Sequence, residues 1–141
     1  MILDKQNLFS EDQEVTDSAA STNIIDLGAV TNNVAGTPTT PHLKGGTRGR
    51  IRAQVTTAFE TLTSLQVSVQ VDTIEAFSSP KTILLGEDIA QASLVAGAVL
   101  IDVAIPAEVD ERYLRLYYTV TGTTATAGAV LAGITMDQQV S

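Results

Sequence analysis

Across residues 65–72 apolar and polar side chains alternate without a break. Leu65, Val67, Val69 and Val71 take one side, and Gln66, Ser68, Gln70 and Asp72 the other. A strand turns successive side chains to opposite faces, so this period of two specifies a β-strand with one dry face and one wet face. The same period returns where Ile51, Ala53 and Val55 alternate with Arg50, Arg52 and Gln54, and where Ile101, Val103 and Ile105 run up to Pro106. In residues 112–121, Leu114, Leu116, Tyr118 and Val120 share a face; after the small-residue stretch 122–128, Val130, Ala132, Ile134 and Met136 share another. Two such runs across a Gly/Thr turn read as a hairpin. Shorter strands are expected at residues 23–28 and 81–86, and residues 106–111 allow a single helical turn with proline at its first position. No segment carries a sustained helical stripe. Seven or eight short antiparallel strands separated by turn signals specify an all-β domain, a jelly-roll-like sandwich or barrel.

The 141 residues suit one such domain, and a chain of this length buries roughly two thirds of its unfolded surface without disulfides, of which it has none because it lacks cysteine. Residues 21–141 are expected to form the body. Residues 29–49 hold Pro38, Pro41, Gly45, Gly46 and Gly49, a density that denies a regular ladder and reads as a long loop. Residues 1–20 show no sustained period and carry four acids between Glu11 and Asp17. They read as an N-terminal arm, either frayed or ordered on a neighbour, with Leu3, Leu8 and Phe9 as its candidate anchors. Fully extended, twenty residues reach roughly 66–72 Å.

Charge and hydropathy narrow the function classes. With 16 acidic and 8 basic residues the net charge is −8, which opposes attraction to a phosphate backbone, so no nucleic-acid partner is expected. The most apolar stretch, residues 94–106, is interrupted by Asp102 and is too short for a membrane span, and the first residues have no cationic leader before an apolar run. No membrane partner is expected, and the reading is of a protein made in the cytoplasm. Catalysis lacks a constellation. His42 is the sole histidine and falls in the Pro/Gly-rich loop, and Glu87-Asp88 and Asp110-Glu111 are sequential neighbours on turn segments without opposed environments. Gly45-Gly46-Thr47-Arg48-Gly49 lacks the lysine and preceding strand of a phosphate loop, and no calcium-loop pattern occurs. The expectation is a non-enzyme without metal or cofactor.

Two groups of residues point instead to binding. Lys44, Arg48, Arg50 and Arg52 gather half of all basic residues in nine positions, either as a solvated face or as a stripe that meets an acidic surface. Tyr113, Arg115 and Tyr117 occupy the face of their strand opposite Leu114, Leu116 and Tyr118. Tyrosine and arginine are enriched at binding hot spots, so this face is either an interface or the second buried side of a barrel strand. A carbohydrate- or receptor-binding module is the competing reading of the two tyrosines, weakened by an aromatic content of 4% and no tryptophan.

Four stretches carry a family resemblance in their joint order. Met1-Ile2-Leu3-Asp4-Lys5-Gln6-Asn7-Leu8-Phe9-Ser10 resembles the opening of the capsid cement proteins of short-tailed bacteriophages, and so does Ser21-Thr22-Asn23-Ile24-Ile25-Asp26-Leu27-Gly28. Phe77-Ser78-Ser79-Pro80 and Glu111-Arg112-Tyr113-Leu114-Arg115-Leu116-Tyr117-Tyr118-Thr119-Val120 are similar to later parts of that family. The resemblance implies a jelly-roll-like domain on the outside of an icosahedral shell, bridging neighbouring major capsid proteins and reinforcing the head. It also implies association with other copies of the chain, as dimer or trimer, and localisation on the virion exterior.

Overall fold

The computed structural model describes residues 3–26, 49–104 and 113–136, and these form a β-sandwich of two antiparallel sheets. The strands are β1 (Leu3–Glu14), β2 (Ala19–Ala20), β3 (Ile25–Asp26), β4 (Gly49–Glu60), β5 (Ser64–Asp72), β6 (Lys81–Ala90), β7 (Val99–Ala104), β8 (Tyr113–Thr121) and β9 (Ala127–Met136). One sheet has the order β1-β9-β4-β7 and the other β2-β8-β5-β6, with β3 also pairing β8.

The pairings are nested: β1 with β9, β2 and β3 with β8, β4 with β7, and β5 with β6. The chain is thus one long hairpin, folded over so that β4 joins β9 and β5 joins β8, which is the jelly-roll arrangement. Two short pieces, β2 and β3, share one strand position along β8, so among the described residues nine segments fill eight places.

The period-two runs supply the core. Leu65, Val67, Val69 and Val71 of β5 and Leu114, Leu116 and Tyr118 of β8 face Ile51, Ala53 and Val55 of β4 and Val130, Ala132 and Ile134 of β9. Each fully buried aliphatic side chain here stabilises the fold by roughly 1.5–3 kcal/mol relative to exposure.

Two sequence expectations are corrected. Residues 113–121 and 127–136 do not form a hairpin: β8 belongs to one sheet and β9 to the other, and residues 122–126 cross between them. Paired side by side, the two strands would show their apolar faces to the same side. Split between sheets, they bury those faces against each other. The crossing is held by Ala125 N–H on the Thr16 carbonyl (2.8 Å) and Thr126 N–H on the Glu60 carbonyl (3.1 Å), and Gly122 takes a φ of +88° there.

Nor do residues 3–14 form an arm. They are β1, antiparallel to β9, with Ser10 opposite Ala132 and Gln13 opposite Val130. Three register shifts in this ladder break the period that would have announced a strand. Phe9 is fully buried in the core, and Leu8, opposite Gly133, is buried as well, so neither is available to anchor on a neighbour. Leu3 stands opposite Thr135 in the ladder, and its side chain lies outside the described residues. The expected loop at 29–49 falls outside the described residues except for Gly49, which opens β4.

Candidate interaction surfaces

The outer face of the sheet containing β8 is organised around Arg115. Alternation along β8 buries Leu114, Leu116 and Tyr118 and leaves Tyr113, Arg115 and Tyr117 half-buried on the outside. Antiparallel register sets Asp72 opposite Tyr113, Gln70 opposite Arg115 and Ser68 opposite Tyr117. Arg115 Nε–H donates to Gln70 Oε1 at 2.9 Å. Its guanidinium carbon lies 4.2 Å from the centroid of the Phe77 ring and 5.9 Å from that of Tyr117, so the cation rests on one aromatic face and beside another. Burial draws the guanidinium below the ordinary arginine range, while Tyr117 and Asp72 act to raise it.

The platform beneath Arg115 is the turn that follows β5. Asp72 Oδ1 accepts the backbone N–H groups of Thr73 (2.6 Å) and Ile74 (3.3 Å), and Oδ2 accepts that of Ser79 (3.0 Å). An aspartate that binds the backbone ahead of it is the local signature of a turn. Burial acts to raise this carboxyl, but the bonds from Ser79, Ile74 and Thr73 outweigh it and leave Asp72 below its ordinary range. Within the turn Phe77 takes a φ of +50°, a conformation disfavoured for a bulky residue, and its N–H donates to the Ile74 carbonyl at 3.1 Å. The result is a buried Phe77 under Arg115, with Ile74 exposed beside it. Of this cluster the sequence pointed to Tyr113, Arg115 and Tyr117. Gln70, Asp72 and Phe77 were missed as partners, although Asp72 closing a strand ahead of Phe77-Ser78-Ser79-Pro80 was a readable turn signal.

On the opposite sheet the basic stripe is already engaged. Arg50 Nε–H donates to Asp102 Oδ1 (2.9 Å) and Arg52 Nη1–H to Oδ2 (3.0 Å), and Arg50 Nη2–H also reaches the Asp102 carbonyl (3.0 Å). One carboxylate on β7 therefore bridges two arginines of β4. Lys44, Arg48 and His42 lie outside the described residues, as do Asp110 and Glu111. Glu87 and Asp88 are exposed on β6.

Two depressions are lined by described residues. A polar one of about 210 Å³ is lined by Asp12, Glu14, Thr16, Thr57 and Thr126, with Asp12 accepting the Thr56 hydroxyl. Among the described residues no group of three or more His, Cys, Asp or Glu side chains is placed to hold a metal ion. An apolar groove of about 260 Å³ runs between β6 and β7, where Leu85 and Val99 are exposed.

The sheet edges are blunted. Among the described residues β1, β6 and β7 each end a sheet, and each shows register shifts against its partner, while β2 and β3 are two residues long. Bulged or very short edge strands resist pairing with a strand from another chain, which leaves side-chain faces as the surfaces open to a partner.

A family model described as Bbp16 matches residues 9–134, from within β1 to near the end of β9. No curated protein matches the chain.

Proposed function

The chain belongs to the Bbp16 family, and we propose that it is a capsid cement protein of a tailed bacteriophage. In this reading it binds the outer surface of the icosahedral shell, bridges neighbouring major capsid proteins and stabilises the mature head. It is made in the bacterial cytoplasm, carried on the virion exterior, and acts in many copies with self-association as dimer or trimer.

The observation that carries the reading is a convergence in space. Two stretches through which the chain resembles cement proteins, Phe77-Ser78-Ser79-Pro80 and the strand of Tyr113, Arg115 and Tyr117, meet at one place on the outer sheet face. The first builds the platform and the second supplies the half-buried, outward-facing side chains. A binding role accounts for an aromatic–arginine–aromatic row on a water-facing surface, since tyrosine and arginine concentrate binding energy when desolvated by a partner. A rigid sandwich with blunted edges suits a protein that must adhere without polymerising. Many weak contacts engaged together on a lattice hold strongly through avidity.

The test is co-sedimentation of the purified protein with expanded capsids of the cognate phage stripped of it, at low and moderate salt. Saturable binding, with a stoichiometry set by the shell lattice, is the expected result. No binding under any condition would overturn the reading, and a glycan array would then decide whether the tyrosine-bearing face serves a carbohydrate instead.

A further inference from the structure

We propose that Arg115 is a carboxylate-binding anchor, whose guanidinium receives an aspartate or glutamate side chain of the protein on which this sheet face docks. The identity of the partner rests on the cement reading, while the chemistry of the site does not.

The guanidinium is held on two sides. Phe77 lies under its plane at 4.2 Å, and Gln70 takes the Nε–H at 2.9 Å. The two Nη groups have no hydrogen bond or ion pair among the described residues. An arginine with Nε engaged still offers a fork of parallel N–H donors along its Nη edge, which matches the two oxygens of a carboxylate. Because stacking and the Gln70 bond already fix the side chain, little rotamer freedom remains to be lost on binding.

The carboxylate the chain supplies nearby, Asp72, acts on Arg115 through its charge but forms no ion pair with it. Asp72 spends its oxygens on the N–H groups of Thr73, Ile74 and Ser79. The contrast is with Arg50 and Arg52, each of which gives one bond to the shared Asp102 carboxylate. Two large apolar side chains are exposed on this sheet, Ile74 on the turn and Leu85 in the row of Ser68 and Tyr117, while the β5 residues beside Arg115 are the polar Ser68, Gln70 and Asp72. An arginine set against two aromatic rings is the composition of an interface hot spot, where excluding water strengthens an ion pair. A protein carboxylate fits better than a nucleic-acid phosphate, because a chain of net charge −8 is repelled by a polyanion.

Two measurements test this separately from the cement role. In the first, sodium acetate is titrated into ¹⁵N-labelled full-length protein at constant ionic strength, with sodium phosphate and sodium chloride as parallel arms. Acetate is expected to shift the Arg115 Nε–H signal and the Gln70 amide saturably, while Arg50 and Arg52 respond no more than in chloride. Equal response at all three arginines, no saturable response, or saturation with phosphate alone would overturn the inference. In the second, Arg115→Gln and Arg115→Lys proteins that melt as the parent does are co-sedimented with stripped capsids. The glutamine variant is expected to bind at least roughly tenfold more weakly, with lysine between it and the parent because it keeps the charge and loses the fork. Binding of the parent with no loss in either variant would refute the anchor and leave the cement reading standing. A parent that fails to bind capsids yet shows the acetate response would do the reverse.

Discussion

The Tyr118 hydroxyl lies 2.7 Å from Ser10 Oγ, buried between the two sheets and joining residues 108 positions apart in the chain. Ser10 Oγ also reaches Gln13 Oε1 (2.6 Å), and Gln13 in turn binds the Ala20 carbonyl (3.1 Å) and the Thr22 N–H (2.9 Å). A polar chain thus runs from the centre of β8 through β1 to the segment that leads into β3. It pins the first strand to a sheet with which it shares no ladder. Removing this bond by Tyr118→Phe is expected to cost about 1 kcal/mol, read as a lower urea midpoint with an unchanged slope. Ser10→Ala should cost a similar amount, and the double variant less than the sum of the two.

Tyr118 also sets a high-pH limit. Burial raises its hydroxyl well above the ordinary tyrosine value, partly offset by the bond to Ser10. A folded-state value above the unfolded one means the stabilisation is complete below about pH 10, where the unfolded chain begins to ionise, and is lost as pH climbs through and beyond that point. The parent should therefore lose stability above about pH 10 more steeply than Tyr118→Phe, as measured by urea midpoints across that range.

The first strand is structural. Phe9→Ala empties a fully buried aromatic site and is expected to cost about 3–5 kcal/mol. Deleting residues 3–14 should abolish the cooperative melt, whereas removal of a reaching arm would leave it intact.

Gly128 has a φ of +141°, and a Cβ at that position would run into the Phe59 ring. Both the conformation and the contact exclude a side chain. Gly128→Ala is expected to destabilise by at least about 1–3 kcal/mol, seen as a fall in melting temperature. Phe59→Leu in the same chain should recover part of that loss by vacating the ring edge.

Asp72 gives the protein an acid limit. Its carboxyl is held below the ordinary range, so its contribution is present above about pH 4 and is lost as pH falls through the folded-state value. Asp72→Asn should remove that part of the acid dependence. It should also loosen the turn under Arg115, visible as broadening of the Phe77 ring and Arg115 Nε–H signals. By contrast Asp102→Asn, which breaks the half-exposed bridge to Arg50 and Arg52, should change stability by less than about 1 kcal/mol and lose even that effect in high salt.

Period-two alternation at Leu65–Val67–Val69–Val71 and Leu114–Leu116–Tyr118 was sufficient by itself to determine the strands, the sides that enter the core and the outward row of Tyr113, Arg115 and Tyr117, because side-chain direction in a strand is a local property of the backbone. It did not foresee that Ser68 and Asp72, on the expected wet face of β5, are buried too. The same alternation carries no information about which strand lies beside which. That choice is made by burial between distant segments, and it placed β8 and β9 in opposite sheets. It also drew residues 3–14 into the sandwich despite a bulged, aperiodic sequence, since Phe9 and the Ser10–Tyr118 bond are satisfied only once both sheets exist. The same holds for the surface. Arg50 and Arg52 looked like an open basic stripe until Asp102, 50 residues away, closed on them. Arg115 stood out in the sequence only as the centre of the Tyr113–Arg115–Tyr117 row; that Gln70 and Phe77 hold it was decided by another strand and its turn. Local chemistry wrote the strands, and long-range packing decided which charges were left to meet a partner.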